Sequence, residues 1–235
     1  MNKDTNINTK YHIFVFTIYI VRLLMWLPVT FLVKFLIRMD VEGRDNLKDI
    51  PNGRVIFAGN HYSEVDPQAF QYALRFPSKF LPIYFVSLPK DYYTFKEYGL
   101  RSFFYGGIFF RLMGAYPVYK GLKDFDKAFY YHKRILDKNL SILIFPEGRR
   151  RRGKEPKAKP GVVYLAKKTD ALVVPVKFEG VDNLTTSKIL LRKSRVKITF
   201  GKPIHSGTFV GKNKDLTLDE MKYWSGEIMK IVDSL

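Results

Sequence analysis

Cysteine is absent from the 235-residue chain, and its absence excludes disulfides, thiolate nucleophiles and zinc sites built from thiolates. Histidine is scarce as well, with four residues in the chain. The spacing of His12, His132 and His205 from other histidines and from carboxylates matches no known metal-binding motif. We therefore expect no metal site.

Acidic residues are few relative to basic ones: 22 Asp and Glu stand against 40 Lys and Arg, which gives a formal net charge of +18. An aromatic content of 16% is too high for a disordered basic tail, so the charge belongs to a folded protein with an anionic partner. That partner is a nucleic acid or an anionic membrane surface. The basic residues are spread along the chain and no groove-reading motif is found, so we expect no nucleic acid.

Charge is nearly missing from the N-terminal run at residues 13–33, which contains one charged residue, Arg22, and one proline, Pro28. The run is long enough to span a bilayer. However, a charge near the middle of a span costs about 2.5–3.5 kcal/mol, and proline favours a break, so two shorter helices lying in one leaflet are equally compatible. A buried helix of the core is a third alternative. We predict a membrane-associated helical segment at residues 1–40, followed by one domain at 41–235.

Beyond residue 40, short apolar runs alternate with stretches of helical periodicity. One helix is predicted over 124–139, and a second begins near a possible capping box of Thr217 and Glu220. The runs predicted to form strands are Val55–Gly59, Phe80–Val86, Ser141–Phe145, Leu172–Phe178 and Arg195–Phe200. This alternation predicts an α/β domain with a mostly parallel central sheet flanked by helices. Ligands of such sheets collect at the carboxyl ends of the strands, so the loops after Gly59 and Phe145 are expected to carry the site.

The loop after the first predicted strand, GNHYSEVDPQAF, places His61 five positions ahead of Asp66. On one continuous helix the two side chains would point about 140° apart, but in a strand-to-helix turn the imidazole can fold back over the helix start. Pro67 favours a helix that begins there. His61 could then act as a base for a hydroxyl while Asp66 holds the imidazole in one tautomer. In the alternative, Ser63 or Asp66 only caps the helix and His61 is an ordinary loop residue.

Four consecutive arginines, at 149–152, lie in the stretch FPEGRRRRGKEP. Residues Gly148 to Lys154 match G-x-x-x-x-G-K, the pattern of a nucleotide-binding P-loop. Glu155 and Pro156 stand where a P-loop has Ser or Thr and a helix start, and arginines occupy positions where backbone amides would wrap phosphate, so this interpretation fails. A phosphorylated substrate and an anionic membrane surface remain as partners of the loop.

The two loops together resemble a known family. NHYSEVD is similar to the N-H-x-x-x-x-D block of the glycerolipid acyltransferases, which include the 1-acylglycerol-3-phosphate (lysophosphatidate) acyltransferases, and FPEGRRR is similar to their F-P-E-G-T-R-S block. Three weaker blocks also fall in the family's order along the chain: GAYPVYKG, KPGVVYLAKKTDA and VVPVKFEG. The resemblance covers roughly residues 41–201.

The resemblance implies transfer of a fatty acyl chain from acyl-CoA or acyl-carrier protein to the free hydroxyl of a lysophosphatidate-type acceptor in phospholipid biosynthesis, without a bound cofactor. It implies His61 as the general base and Asp66 as its orienting partner. The residues that it assigns to acceptor binding are Lys120, Glu147, Gly148, Arg149 and Arg150. With the apolar N-terminus, it implies anionic membrane lipids as a partner and a place at the cytoplasmic face of the inner membrane.

The arginine loop departs from the family pattern, because Arg149 stands in place of a threonine and Arg151 in place of a serine. We predict that Arg149 and Arg150 face the acceptor phosphate, and that Arg151 and Arg152 face lipid headgroups. Like charges repel, so Glu147 is not expected to touch phosphate. It is expected to hold one of the arginines or a nearby backbone donor.

Two further expectations concern the acyl group. Backbone N–H groups between Asn60 and Ser63 are expected to stabilise the oxyanion of the tetrahedral intermediate. The aromatic-rich residues 85–114 are expected to help line a channel for the acyl chain, although ordinary core packing explains them equally well. Two other functions stay open: acyl transfer to a different lysolipid headgroup, and a non-catalytic protein that binds anionic membranes.

Overall fold

A computed structural model of the chain describes residues 37–51, 53–119, 121, 124–151, 157–181, 194–211 and 215–235, together with the single positions 24, 28 and 35. The predicted membrane-associated segment, 1–40, lies outside the described residues except for these single positions and its last four residues. Among the described residues, no helix combines the length and the apolar character that crossing a membrane requires.

One sheet of seven strands forms the centre of the described structure. Its strands are β1 (Arg38–Glu42), β2 (Val55–Gly59), β3 (Ile83–Ser87), β4 (Ala115–Pro117), β5 (Ser141–Ile144), β6 (Leu172–Glu179) and β7 (Arg195–Phe200). Their spatial order is β1, β7, β6, β2, β5, β3, β4. Neighbouring strands are parallel except β6 and β7, which are antiparallel. The predicted mostly parallel sheet is therefore confirmed.

Helices cover both faces of the sheet, because its central strands are apolar on both sides. In β2, Val55 and Phe57 join the core on one face, whereas Ile56 and Ala58 join the core on the other. The helices are α1 (Asp66–Ala73), α2 (Phe95–Tyr98), α3 (Gly107–Leu112), α4 (Phe125–Ala128), α5 (Tyr130–Asp137), α6 (Gly161–Thr169) and α7 (Leu218–Ser234). Helix α1 packs on the first face, and α4 to α7 contribute to the core on the second.

Several elements differ from the sequence-based prediction. Strands β1 and β4 were not predicted, and β1 begins at Arg38, ahead of residue 41 where the predicted domain starts. The single helix predicted over 124–139 is divided at Phe129, whose φ of −107° and ψ of 22° end α4 before α5 begins. Asp124 does cap α4 by accepting a hydrogen bond from a backbone N–H, as predicted. The predicted capping box at the start of α7 is also confirmed.

The topology brings two loops to one edge of the sheet. Strand β2 lies between β5 and β6 and is parallel to both. The carboxyl ends of β2 and β5 therefore meet at the same edge, and the loops that follow Gly59 and Ile144 lie side by side. These are the two loops in which the sequence predicts the site.

Candidate active site

His61 and Asp66 meet in the turn between β2 and α1. The Nδ1 atom of His61 lies 2.8 Å from Oδ2 of Asp66. An ionised carboxylate only accepts hydrogen bonds, so Nδ1 carries the proton and Nε2 carries the lone pair that a base needs. The imidazole is partly exposed, whereas the Asp66 side chain is fully buried. The candidate base therefore reaches the surface while its partner is shielded from water.

Asp66 also organises the backbone of the turn. Its Oδ2 atom accepts hydrogen bonds from the N–H groups of Tyr62 at 2.8 Å and Ser63 at 2.9 Å. Helix α1 begins directly after this closure, with Pro67 in its first turn. The N-cap position belongs to Val65, and no side chain caps the helix. The capping alternative therefore does not describe this loop, because the carboxylate reaches backwards to the turn and to His61.

Three of the predicted oxyanion donors, which run from Asn60 to Ser63, are engaged elsewhere. The N–H group of His61 donates to Oε2 of Glu147 at 3.2 Å, while those of Tyr62 and Ser63 donate to Asp66. The expectation that these three groups stabilise an oxyanion is therefore wrong. They fix the turn that carries the imidazole.

Asn60 anchors the same turn to the sheet. Its Nδ2 atom donates to the carbonyl oxygen of Phe178 at 2.9 Å, and its Oδ1 atom accepts from the N–H group of Phe178 at 2.7 Å. These bonds extend the pairing of β2 with β6 by one position beyond Gly59. An amide supplies both the donor and the acceptor, which a carboxylate cannot do. Asn60, the residue before His61, is thus fixed to β6 by one donated and one accepted hydrogen bond.

The loop after β5 forms the second wall of the site. The ring of Phe145 stacks on the imidazole of His61, with ring centroids 4.1 Å apart. Gly148 has a φ of 63°, and a Cβ atom at this position would lie 3.0 Å from the Lys159 side chain. Both the backbone conformation and the limited space favour glycine here. The loop can therefore turn sharply beside a basic side chain.

Glu147 and Arg151 form a buried ion pair below the loop. The Nε of Arg151 donates to Oε1 of Glu147, and Nη2 pairs with Oδ1 of Asp233 on α7 at 2.8 Å. Burial acts to lower the pKa of Arg151, but its bonds to Glu147 and Asp233 outweigh burial and raise the pKa, so the guanidinium stays charged. The expectation that Glu147 holds an arginine is confirmed. The expectation that Arg151 faces lipid headgroups is wrong, because its side chain is only 8% exposed.

The other arginines of the loop have different surroundings. Arg149 is exposed and forms no ion pair within the described part of the chain. Arg150 pairs with Glu64, with 2.9 Å between Nη1 and Oε1. Arg152 and Lys120 lie outside the described residues, so their predicted roles stay predictions. Among the described residues, no group of three or more His, Asp or Glu side chains is arranged to hold a metal ion.

Three residues of the site were not assigned these roles from the sequence. Asn60 stands directly before His61, and a polar residue at the end of an apolar strand is a signal that could have pointed to its anchoring role. Glu64 lies between His61 and Asp66, and its acidity opposite an arginine-rich loop is a second such signal. Asp233 lies near the end of α7, far from both loops in sequence, and no local pattern connects it to Arg151.

Comparisons with known proteins identify the family and the fold of the chain. The Acyltransferase family model matches residues 38–179, which is more than half of the chain. A 1-acyl-sn-glycerol-3-phosphate acyltransferase of Borreliella burgdorferi is 28% identical over 156 residues, covering 66% of this chain. The matched region spans 56% of the length of that relative.

A solved structure is similar over most of the chain. The crystal structure of the 1-acyl-sn-glycerophosphate (LPA) acyltransferase from Thermotoga maritima matches with a TM-score of 0.59 and 19% identity, covering 91% of this chain and 79% of that one. This match shows a shared fold. Because the family model spans β1 to β6 and includes both loops of the site, the chain belongs to the acyltransferase family.

Proposed function

We propose that the protein transfers a fatty acyl chain from acyl-CoA or acyl-carrier protein to the free hydroxyl of a lysophosphatidate in phospholipid biosynthesis. The observation that carries the proposal is the His61–Asp66 hydrogen bond of 2.8 Å beside an arginine-rich loop. The name of the Borreliella burgdorferi relative states this acceptor, which supports the same choice here.

The reaction uses His61 as a general base. Its Nε2 atom takes the proton of the acceptor hydroxyl while the hydroxyl oxygen attacks the thioester carbonyl carbon. Asp66 accepts the Nδ1–H bond throughout and stabilises the imidazolium that forms. The tetrahedral intermediate collapses when the C–S bond breaks, which leaves a new ester and a thiolate. The proton held by His61 then passes to the thiolate, so the histidine returns to its starting state without a cofactor.

Arg149 and Arg150 bind the acceptor phosphate in this proposal. The planar guanidinium presents donors that match phosphate oxygens. Arg149 is exposed and can bind phosphate without first losing an ion pair to another described residue. Arg150 is held by Glu64 at 2.9 Å, so a phosphate has to compete with a carboxylate for it.

Three other residues complete the proposed acceptor site. Glu147 positions the loop and does not contact the phosphate. Its buried carboxylate accepts hydrogen bonds from the N–H group of His61 and from the side chain of Arg151. Gly148 allows the turn that brings the arginines to the surface. Lys120 is proposed as a third basic contact to the phosphate.

Membrane association is part of the proposal because the acceptor is a lipid. A net charge of +18 favours an anionic membrane surface. The apolar segment 1–40 is proposed to hold the protein at the cytoplasmic face of the inner membrane.

A headgroup screen tests the proposed acceptor. The purified chain is given acyl-CoA or acyl-carrier protein with lysophosphatidate, lysophosphatidylcholine or monoacylglycerol in detergent, and thiol release is measured. We expect release to be fastest with lysophosphatidate. The Arg149→Ala variant should raise KM for lysophosphatidate by about 10–100-fold, the value of a charge-assisted hydrogen bond, and leave KM for monoacylglycerol unchanged.

The control for this screen is Arg195→Ala, since Arg195 is also an exposed arginine but lies on β7, where it pairs with Asp40 of β1. Its kinetics should match those of the wild type. Preference for lysophosphatidylcholine would favour a different headgroup. No thiol release with any acceptor would favour the non-catalytic membrane-binding protein.

A further inference from the structure

The connection between β3 and β4 exposes an unusual number of large apolar side chains. Seven of them lie between residues 90 and 112: Tyr92, Phe95, Leu100, Phe103, Phe104, Ile108 and Phe109. Phe103 and Ile108 are 71% and 76% exposed. We call these seven side chains the aromatic surface. They face outwards in the described part of the chain, and the expectation that residues 85–114 help line a channel for the acyl chain stays a prediction.

A separate set of rings holds this connection together from within. Tyr93 contacts the rings of Tyr98, Tyr105 and Phe110 at centroid distances of 5.3–5.7 Å. The outer rings contact each other as well, with Phe95 near Phe103. The connection therefore has its own small core, and the aromatic surface remains exposed outside it as an apolar patch, in which Phe104 also contacts Phe109. Monomeric proteins rarely expose such a patch without a partner.

The aromatic surface lies directly beside the site. Arg101, between its members in sequence, pairs with Oε2 of Glu64 at 2.9 Å. The hydroxyl of Tyr105 donates a hydrogen bond to the same carboxylate. Burial is the larger cause and this hydrogen bond the second cause that raise the pKa of Tyr105 to about 12, so the phenol keeps its proton. The other oxygen of Glu64 holds Arg150. One carboxylate in the His61 turn thus joins the connection to the arginine loop.

The charges around the patch fit an anionic surface. Residues 90–112 contain four basic and two acidic side chains, all exposed: Lys90, Lys96, Arg101 and Arg111 against Asp91 and Glu97. Exposed aromatic and aliphatic groups edged by cations are typical of segments that lie in the headgroup region of a bilayer.

We propose that the aromatic surface inserts into an anionic bilayer and sets the His61 site against the membrane from which it takes its lipid acceptor. This inference rests on the proposed function for the lipid acceptor. It adds a second membrane contact within the folded domain, separate from segment 1–40. A lipid whose phosphate reaches Arg149 then leaves its acyl chain in the bilayer.

The absence of cysteine allows a site-specific test. The full chain with Phe103→Cys is labelled with an environment-sensitive NBD fluorophore, and Tyr223→Cys serves as the control. Tyr223 is 61% exposed and lies on α7, which packs on β6 and α6 instead of the β3–β4 connection. Both proteins are mixed with vesicles of phosphatidylcholine and phosphatidylglycerol, with and without doxyl-labelled lipid.

We expect the label at position 103 to shift to the blue on these vesicles and to be quenched by doxyl lipid, while the label at 223 stays in water. The Phe103→Ser, Ile108→Ser double variant should also lose at least about tenfold in vesicle affinity. The matched Val210→Ser, Tyr223→Ser variant should lose little.

Two results would overturn the proposal. In one, the label at 103 stays in water while the protein floats with the vesicles, so another segment alone makes the contact. In the other, the label is blue-shifted without vesicles and is not quenched by doxyl lipid, so protein covers the patch. Thiol release by the unlabelled wild type in detergent tests the proposed function separately, since that assay contains no vesicle.

Discussion

One carboxylate oxygen of Asp66 accepts three hydrogen bonds: one from the Nδ1–H of His61 and two from backbone N–H groups of the turn. The Asp66→Asn variant keeps the size of the side chain but loses its charge and can present an N–H group to these donors. We predict that kcat falls by about 10²–10⁴-fold with little change in KM. Thiol release with lysophosphatidate measures both. The control Asp45→Asn changes an aspartate whose side chain is 86% exposed and should behave as wild type; equal kcat values for the two variants would contradict the orienting role.

Arg151 is a structural arginine, although it stands in a run that suggests a surface role. The Arg151→Ala variant leaves the buried Glu147 carboxylate without its partner. We predict a loss of about 3–5 kcal/mol in the free energy of unfolding, measured with urea. The matched variant Lys197→Ala breaks a surface pair with Glu42 and should change stability far less. A loss as small as in Lys197→Ala would show that the buried pair is not needed for stability.

His61 and Asp66 could be predicted from the sequence because the turn that joins them is local and their chemistry is distinctive. The three arginines that follow Gly148 could not be sorted in the same way. All three are the same residue type, yet Arg149 is exposed, Arg150 pairs with Glu64 and Arg151 is buried against α7. These differences come from tertiary contacts with residues that are distant in sequence.

The strands and helices were predicted where the apolar pattern is strong. Strands β2 and β5 are buried at every residue, and β2 and β7 have the predicted bounds. Strands β1 and β4 were missed because they form the two edges of the sheet. Strand β1 alternates exposed and half-buried residues, and β4 has three residues that include Pro117, so neither carries an apolar run. The break at Phe129 was missed because α4 and α5 pack on the same core, which keeps the apolar pattern continuous.

Helix α5 carries a buried histidine that the proposed reaction does not use. His132 is fully buried, with Nε2 3.2 Å from the carbonyl oxygen of Tyr116. Burial lowers the pKa of His132 to about 4 from an ordinary 6.5. Between these two values the unfolded chain binds more protons than the folded one. The stability that this residue contributes is therefore complete above pH 6.5 and is lost as pH falls towards 4.

A His132→Gln variant should remove this part of the pH dependence. We predict that the wild type loses roughly 3 kcal/mol more than the variant across this pH window. Urea unfolding of both proteins at several pH values measures the difference. His205→Gln, which changes an exposed histidine, is the control and should keep the wild-type slope. Identical slopes for the wild type and His132→Gln would contradict the burial argument.

The whole molecule combines a net charge of +18 with an exposed apolar patch beside the site. Charge attraction to anionic lipid is screened over about 8 Å at physiological salt and about 3 Å at 1 M salt. We predict that binding to phosphatidylglycerol-containing vesicles weakens by at least about tenfold over this range of salt, because each basic group near the surface contributes about 1 kcal/mol. A vesicle flotation assay at each salt concentration measures this binding. Equally strong binding to pure phosphatidylcholine vesicles would show that charge plays no part.

His61 is the general base of the proposed acyl transfer, and the ester product measures this reaction directly. Wild type, His61→Ala and the exposed-site control His205→Ala are each incubated with lysophosphatidate and acyl-CoA, and phosphatidate is quantified by mass spectrometry. We predict that wild type and His205→Ala form phosphatidate, and that His61→Ala forms none above background while still binding anionic vesicles. Phosphatidate formation by His61→Ala at the wild-type rate would contradict the role of His61 as the general base.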